Sequence, residues 1–351
     1  MQYIAFDSHK RYTLARVEGS EGGKAKECRI RHEKGSIREF LGSCQAGSPV
    51  AVETIGNWYW IVEEIEAAGM RPLLVHARKA KMMMGMINKT DRLDAAGLNR
   101  LQRSGTLPTV WIPPQDVRDK RELLRARMDL VAQRTQMKNR IHAALARYGI
   151  NVEDAGSDVF RVGARENLEK AIQELPPQTS FATKCQLDQL DALQENIARL
   201  EERIKEVLSL TPEVELLMTM PGVGLLLGSV IALEIGDVSR FPRAENLASY
   251  AGTTPRVHSS GDKTRYGQVR GDVNRFLKWA FAEAANAVCR LRAHHPYQHV
   301  SKLYERIRAK KNHAKAIGAV SRHLAEASYW ILTKKEPYKE RDSGTVSSKD
   351  A

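Results

Sequence analysis

Three short runs rich in β-branched and aromatic residues, YIAFD (3–7), YTLARV (12–17) and KECRIR (26–31), follow one another across turns too short to hold a helix. Such runs read as strands. A helical pattern arrives only afterwards, as NWYWIVEEIEAAGM (57–70), between two further strand-like runs, VAVET (50–54) and RPLLVH (71–76). This order predicts an α/β domain built on a mixed sheet rather than a doubly wound parallel one.

The prolines of WIPPQ (111–115) mark a boundary, after which the pattern turns helical and basic. Arg118, Lys120, Arg121, Arg125, Arg127, Arg134, Lys138, Arg140 and Arg147 face only Asp119, Glu122 and Asp129, which predicts a cationic helix. Leu190, Leu193, Ile197, Leu200, Ile204 and Val207 are spaced 3, 4, 3, 4 and 3, a heptad seam that fits a coiled-coil arm or an intramolecular helical hairpin equally well. From TPEVELLMTMPGVG onward the chain reads as amphipathic helices to about residue 334, and the polar tail 335–351 is expected to lack structure. The predicted segments are 1–150, an α/β domain ending in the basic helix; 151–210, a helical connector; 211–334, a mostly helical domain; and the tail.

Four acids invite a joint reading. Asp7 and Glu53 end strands, and Asp91 and Asp94 stand three positions apart on a helical pattern, so they share one face. Carboxylates that converge in a basic protein repel unless they share cations, and oxygen ligands suit magnesium. Two such ions about 3.5–4 Å apart would serve phosphoryl transfer. Taken singly, Asp91 and Asp94 read as a solvated face paired with Lys89 or Arg92, and Asp7 as a strand end. Together, in the order strand, strand, helical pair, they favour a metal site.

A second constellation is ASYAGTTPRVHSSGDKTRYGQVRGDVNRFLKW (248–279). It sets Ser259 and Ser260 in a glycine- and proline-bearing loop among Arg256, Lys263, Arg265, Arg270, Arg275 and Lys278. A hydroxyl in a cationic field can attack a phosphodiester. On the residues alone a phosphate-gripping loop without a covalent role is the stronger reading, because Ser-Ser-Gly is common in loops. MPGVG (220–224) resembles the turn of a helix-hairpin-helix, although a plain glycine turn explains it almost as well.

Charge sets the class of partner. With 55 Lys and Arg against 42 Asp and Glu, a net charge of +13, the chain suits a polyanion, and nucleic acid leads. The longest apolar run, VGLLLGSVIALEIG (223–236), is too short for a membrane span and contains Glu234. The N-terminus has Asp7 where a signal peptide needs an apolar core, and four scattered cysteines form no CxxC pair, which predicts reduced thiols in a cytoplasmic protein. EGGKA (21–25) is not a P-loop.

FDSHK, VETIGNW, NKTDRLDA and MPGVG followed by LASYAGTTPRVHSSGDKTRYG resemble the DEDD-type insertion-sequence transposases of family one-ten, recombinases guided by a bridge RNA. The resemblance spans roughly residues 3–334. It implies a RuvC-like, RNase H-type first domain, a coiled-coil connector and a C-terminal transposase domain with a nucleophilic serine. Carried over, the metal-binding acids are Asp7, Glu53, Asp91 and Asp94 with Mg2+, and the serine that directly precedes glycine is Ser260, with Ser259 beside it. Arg121, Arg125, Lys138, Arg140, Arg256, Lys263, Arg265, Arg270 and Arg275 would grip bridge RNA and the donor and target DNA. The family also implies a homo-oligomer, a dimer or tetramer. The rival readings are a metal-dependent junction nuclease without a covalent intermediate and a non-catalytic nucleic-acid-binding scaffold.

Overall fold

The structure is a computed structural model that describes residues 1–85, 90–153, 156, 158–261, 263–269 and 271–340. Asn88 and Lys89 of the NKTDRLDA motif, Arg270 and the tail from 341 lie outside the described residues. The chain forms two compact units, Met1–Pro113 and Pro114–Ala351.

In the first unit, strands β1 (Gln2–Ser8), β2 (Tyr12–Gly19), β3 (Lys26–Arg31), β4 (Pro49–Glu53) and β5 (Arg71–Val75) form one sheet in the order β3-β2-β1-β4-β5. β1, β2 and β3 pair antiparallel, whereas β4 joins β1, and β5 joins β4, in parallel. The mixed sheet predicted from the strand runs is therefore the one observed.

Because side chains alternate along a strand, each face has its own layer. Ile4, Phe6, Val50, Val52 and Leu74 pack with Ile37 and Leu41 of α1 (Ser36–Gly42) and with Ile61, Val62 and Ile65 of α2 (Trp58–Ala67). Ala5, Ala51 and Val75 point the other way, onto Ala80 and Met84 of α3 (Ala77–Met84) and Leu98 and Leu101 of α4 (Asp91–Arg103). Small residues on this second face let α4 lie close to the sheet. Buried amides fix it there: Asn99 Nδ2 donates to Tyr3 O at 2.9 Å and Gln102 Nε2 to Pro49 O at 2.9 Å.

The second unit begins with α5 (Gln115–Arg147) and continues through α6 (Arg165–Gln173) to α7 (Pro177–Val207). The seam of α7 packs on α5 of the same chain, so of its two readings the intramolecular hairpin is realised. The pairing is antiparallel: Arg127 Nε meets Glu201 at 2.9 Å, and Ile141 and Leu145 pack with Leu187 and Leu190. The apolar stripe of the cationic helix has its packing partner in the second compact unit.

Helices α8 (Pro212–Met218), α9 (Leu225–Ile235), α10 (Ala244–Tyr250), α11 (Arg275–Leu291), α12 (His299–Lys310) and α13 (His313–Lys334) share one core around Leu217, Ile231, Leu247, Phe281, Tyr304 and Leu324. The glycine turn MPGVG joins α8 to α9. Gly222 has φ +78°, and a Cβ there would lie 2.4 Å from Ala284 O. Between α10 and α11 the expected loop is instead a hairpin, β6 (Pro255–Ser260) and β7 (Lys263–Val269), reversed at Gly261 with φ +57°. The tail expected to be unstructured is placed as far as Glu340. Tyr338 packs on the core and its N–H donates to Thr219 Oγ1 at 2.8 Å, while Glu340 Oε2 accepts from His299 N at 2.7 Å. Among the described residues no helix is long and apolar enough to cross a membrane.

Candidate metal centre and serine hairpin

The period of two that sorts the sheet's apolar residues also places its acids. Asp7 has the parity of Ala5 and Glu53 that of Ala51, so both project at the ends of β1 and β4 toward the layer that contains α4. α4 begins beside them. Thr90 caps its N-terminus, accepting from Leu93 N at 3.3 Å, and Asp91 and Asp94 occupy its first turn, where the helix dipole favours negative charge.

The structure brings Asp7 and Asp91 together with a third residue. Nε2 of His9 lies 3.3 Å from Asp7 Oδ2 and 3.1 Å from Asp91 Oδ2, and the ligand atoms of the three all fall within 4.8 Å of one another. Glu53 and Asp94 are outside this group, although the charge of Asp94 still bears on Asp7. Tyr12 completes the wall. Its hydroxyl donates to Asp91 Oδ2 at 2.8 Å, its ring lies 4.6 Å from that of His9, and the Arg29 guanidinium sits 3.8 Å over the same ring.

The two aspartates differ in character. Asp7 is 9 % exposed, and burial raises its pKa; His9 opposes this, while Asp91 and Asp94 add to it. The hydrogen bond from Tyr12 is the largest influence on Asp91 and holds its carboxyl below the ordinary range, assisted by His9. His9 and Tyr12 escaped the sequence reading. The available signal was the histidine two positions after Asp7, in the tight turn closed by His9 N donating to Tyr12 O at 2.8 Å.

In the second unit Ser259 and Ser260 end β6, both exposed. Pairing fixes their faces. Ser260 opposes Lys263 and His258 opposes Arg265, while Ser259 opposes Thr264 and Val257 opposes Tyr266. One face of the ribbon therefore presents Ser260 with Lys263, Arg265 and His258, and Arg256 joins His258 against Gly267 on that side. The other presents Ser259 with Val257 and Tyr266, which are 57 % and 73 % exposed.

The remaining cations divide into two groups. Arg140, Arg256, Lys263, Arg265 and Arg275 are exposed, Arg275 reaching Asp129 at 3.5 Å. Lys138 is half-buried, 3.5 Å from Asp158 and over the Phe160 ring. Arg121 is buried, its guanidinium donating to Leu233 O at 2.9 and 2.6 Å, and Arg125 makes a bidentate pair with buried Glu234 at 2.7 and 3.0 Å. The donors of Arg121 and Arg125 are thus directed at protein groups, and the exposed members are the ones that face solvent.

Comparison with known proteins gives this pairing of domains a class. A DEDD transposase family model of the IS110 type matches residues 4–150, and a model described as "Transposase IS116/IS110/IS902 family" matches residues 214–300. The molecule is a DNA transposase. The chain belongs to the IS110/IS116 family of insertion-sequence transposases, as its sequence motifs predicted. It is similar to a "Probable family 20 transposase" of Pseudomonas aeruginosa, 24% identical over 78% of this chain and 80% of that one. It is also similar to the "Transposase for insertion sequence element IS1328" of Yersinia enterocolitica, 24% identical over 70% and 72%. A third relative is the "Pilin gene-inverting protein" of Moraxella bovis, 26% identical over 82% and 79%.

A DEDD domain implies a divalent metal, and the residues present fit one. Asp7 Oδ2 and His9 Nε2 are enclosed and meet at 3.3 Å without hydrogen-bond geometry, in a site that already gathers negative charge. Bound divalent charge would relieve both conditions.

Proposed function

We propose that this transposase cuts and rejoins DNA through a covalent link between Ser260 and the DNA backbone, with Mg2+ held by a carboxylate centre in an RNase H-type, RuvC-like domain. The observation that carries the metal half is the convergence of Asp7 and Asp91 at the sheet end, with Asp7 Oδ2 buried against His9 without hydrogen-bond geometry. The mixed order β3-β2-β1-β4-β5, with acids at the ends of adjacent parallel strands, supports the RuvC-like assignment. Asp7, Asp91, Glu53 and Asp94 are the residues that would hold the metal. Mg2+ bound there would offset the charge that builds on the phosphate as it reacts.

The serine half rests on the two faces of the hairpin. Ser260 shares its face with Lys263, Arg265 and His258, whereas Ser259 shares its face with Val257 and Tyr266. A phosphate drawn to the cationic face meets Ser260. In the reaction the Oγ–P bond forms as the phosphodiester P–O bond breaks; the serine gives up its proton and the departing sugar oxygen takes one. Attack by a strand-end hydroxyl on the Ser–P bond reverses this and releases the serine, so no external energy source is required. A relative named for inverting a pilin gene supports this reading over simple hydrolysis, since inversion must rejoin what it cuts.

Guidance by a noncoding bridge RNA, action as a dimer or tetramer and a cytoplasmic location complete the proposal. Exposed Arg140, Arg256, Lys263, Arg265 and Arg275 are the first candidates to hold RNA and the donor and target DNA through phosphates. The test is a denaturing gel of the protein with Mg2+, labelled DNA spanning the element's junctions and the noncoding RNA from its flank. A slow, protease-sensitive band that disappears in Ser260→Ala is the expected result. Cut DNA without such a band would make the protein a metal-dependent nuclease, and no strand chemistry a scaffold.

A further inference from the structure

We infer that His9 is a nitrogen ligand of the metal centre through Nε2, and that the centre therefore holds Mn2+ more tightly than Mg2+. The inference rests on the metal-centre reading above and adds to it the class of ion preferred.

Three observations converge on His9. The first is spacing. Neighbouring ligands of an octahedral ion bound at about 2.1 Å stand roughly 3 Å apart. Nε2 stands 3.1 Å from Asp91 Oδ2 and 3.3 Å from Asp7 Oδ2. The second is an unmet need. Asp7 is nine-tenths buried, and its Oδ2 and the neighbouring Nε2 are both enclosed, their 3.3 Å ion-pair contact falling short of hydrogen-bond geometry.

The third is preorganisation. The backbone of His9 is held on both sides, by its own N–H to Tyr12 O at 2.8 Å and by Asn57 Nδ2 to its carbonyl at 3.0 Å. Its ring lies against that of Tyr12, whose hydroxyl in turn orients Asp91 at 2.8 Å. Main chain, ring and neighbouring carboxylate held together are what a metal ligand requires.

The chemistry of the donor set then selects the ion. Mg2+ is a hard cation suited to oxygen, and imidazole is a better ligand for first-row transition metals. Mn2+ accepts both donors and octahedral geometry, so replacing one oxygen by Nε2 favours it over Mg2+. The opposing account makes His9 an imidazolium that merely bridges the carboxylates. The two differ in sign: removing a ligand weakens Mn2+ binding, whereas removing a competing positive charge strengthens the binding of both ions.

The full chain, stripped of metal, would be titrated calorimetrically with MnCl2 and with MgCl2, and its Mn2+ complex examined by pulsed EPR for 14N coupling. Wild type is expected to bind Mn2+ at least about tenfold more tightly than Mg2+ and to show 14N modulation. His9→Ala should lose most of that preference, change Mg2+ affinity by less than about threefold and abolish the modulation. His9→Asn serves the same comparison if the alanine variant does not fold. Tighter binding of both ions by the variants, or 14N modulation that persists, would overturn the inference while leaving the metal centre standing. Failure of wild type to bind either ion, or unchanged affinities in Asp7→Asn and Asp91→Asn, would overturn the metal-centre reading and this inference with it.

Discussion

At the scale of single residues, adjacent serines have different surroundings because a strand turns successive side chains to opposite faces. Ser260→Ala should retain DNA binding yet lower strand joining by roughly 10³-fold or more, whereas Ser259→Ala should keep most of it. Joining assays beside gel-shift measurements check this, and the reverse ranking would move the nucleophile to Ser259. Glu18 supplies a test of stability. Partial burial pushes its carboxyl up, but Arg16 at 2.8 Å and Arg103 at 2.6 Å more than offset this and hold it below the ordinary range. A depressed carboxylate contributes stability that is present above its unfolded pKa and lost as pH falls through the folded one. Glu18→Gln should therefore cost about 1 kcal/mol at pH 7, and the gap should close as pH falls below about 4. Chemical denaturation across that range measures it.

At the scale of elements, one buried network joins four parts of the second unit. Glu234, 2 % exposed near the end of α9, accepts from Arg125 of α5 and, at 2.8 Å, from Asn274 Nδ2. Asn274 caps α11, and its N–H donates to Tyr250 O at 2.9 Å, the last residue of α10. Arg121 and Arg240 satisfy carbonyls that the end of α9 leaves open. The serine hairpin emerges between α10 and α11, so this network holds the stem from which it projects. Glu234→Gln leaves buried guanidinium charge without its counter-ion and should destabilise the protein by about 3–5 kcal/mol. A denaturant titration reads the loss; a change under about 1 kcal/mol would remove the network from this role. Gly222→Ala meets both the positive φ and the Ala284 carbonyl, and should cost at least about 1–3 kcal/mol by the same measurement.

At the scale of the whole molecule, the net charge of +13 makes association with DNA chiefly a matter of phosphates and displaced counter-ions. The apparent affinity should fall about 10³-fold or more between 50 and 200 mM salt, as measured by fluorescence anisotropy. A flat response would count against a phosphate-dominated interface. Asp94→Ala is the matching test of chemistry. A scaffold would bind and function unchanged, whereas a metal-dependent transposase should keep binding and lose strand cleavage.

What the sequence determined by itself is what short-range periodicity controls. β-branched runs specified β1 to β5 nearly to the residue, alternation along β1 and β4 placed Asp7 and Glu53 on one side, and the 3,4 spacing specified the apolar stripe of α7. Charged and polar partners were decided only by tertiary packing. His9 reaches Asp91 and Arg125 reaches Glu234 across long stretches of chain, and no local pattern records which distant group a side chain will meet. The same arginine spacing describes a solvated cationic helix and one whose Arg121 is drawn inside to close the end of another helix. The choice depends on where unsatisfied carbonyls and buried charge come to lie, because a buried polar group must find a partner wherever the fold supplies one.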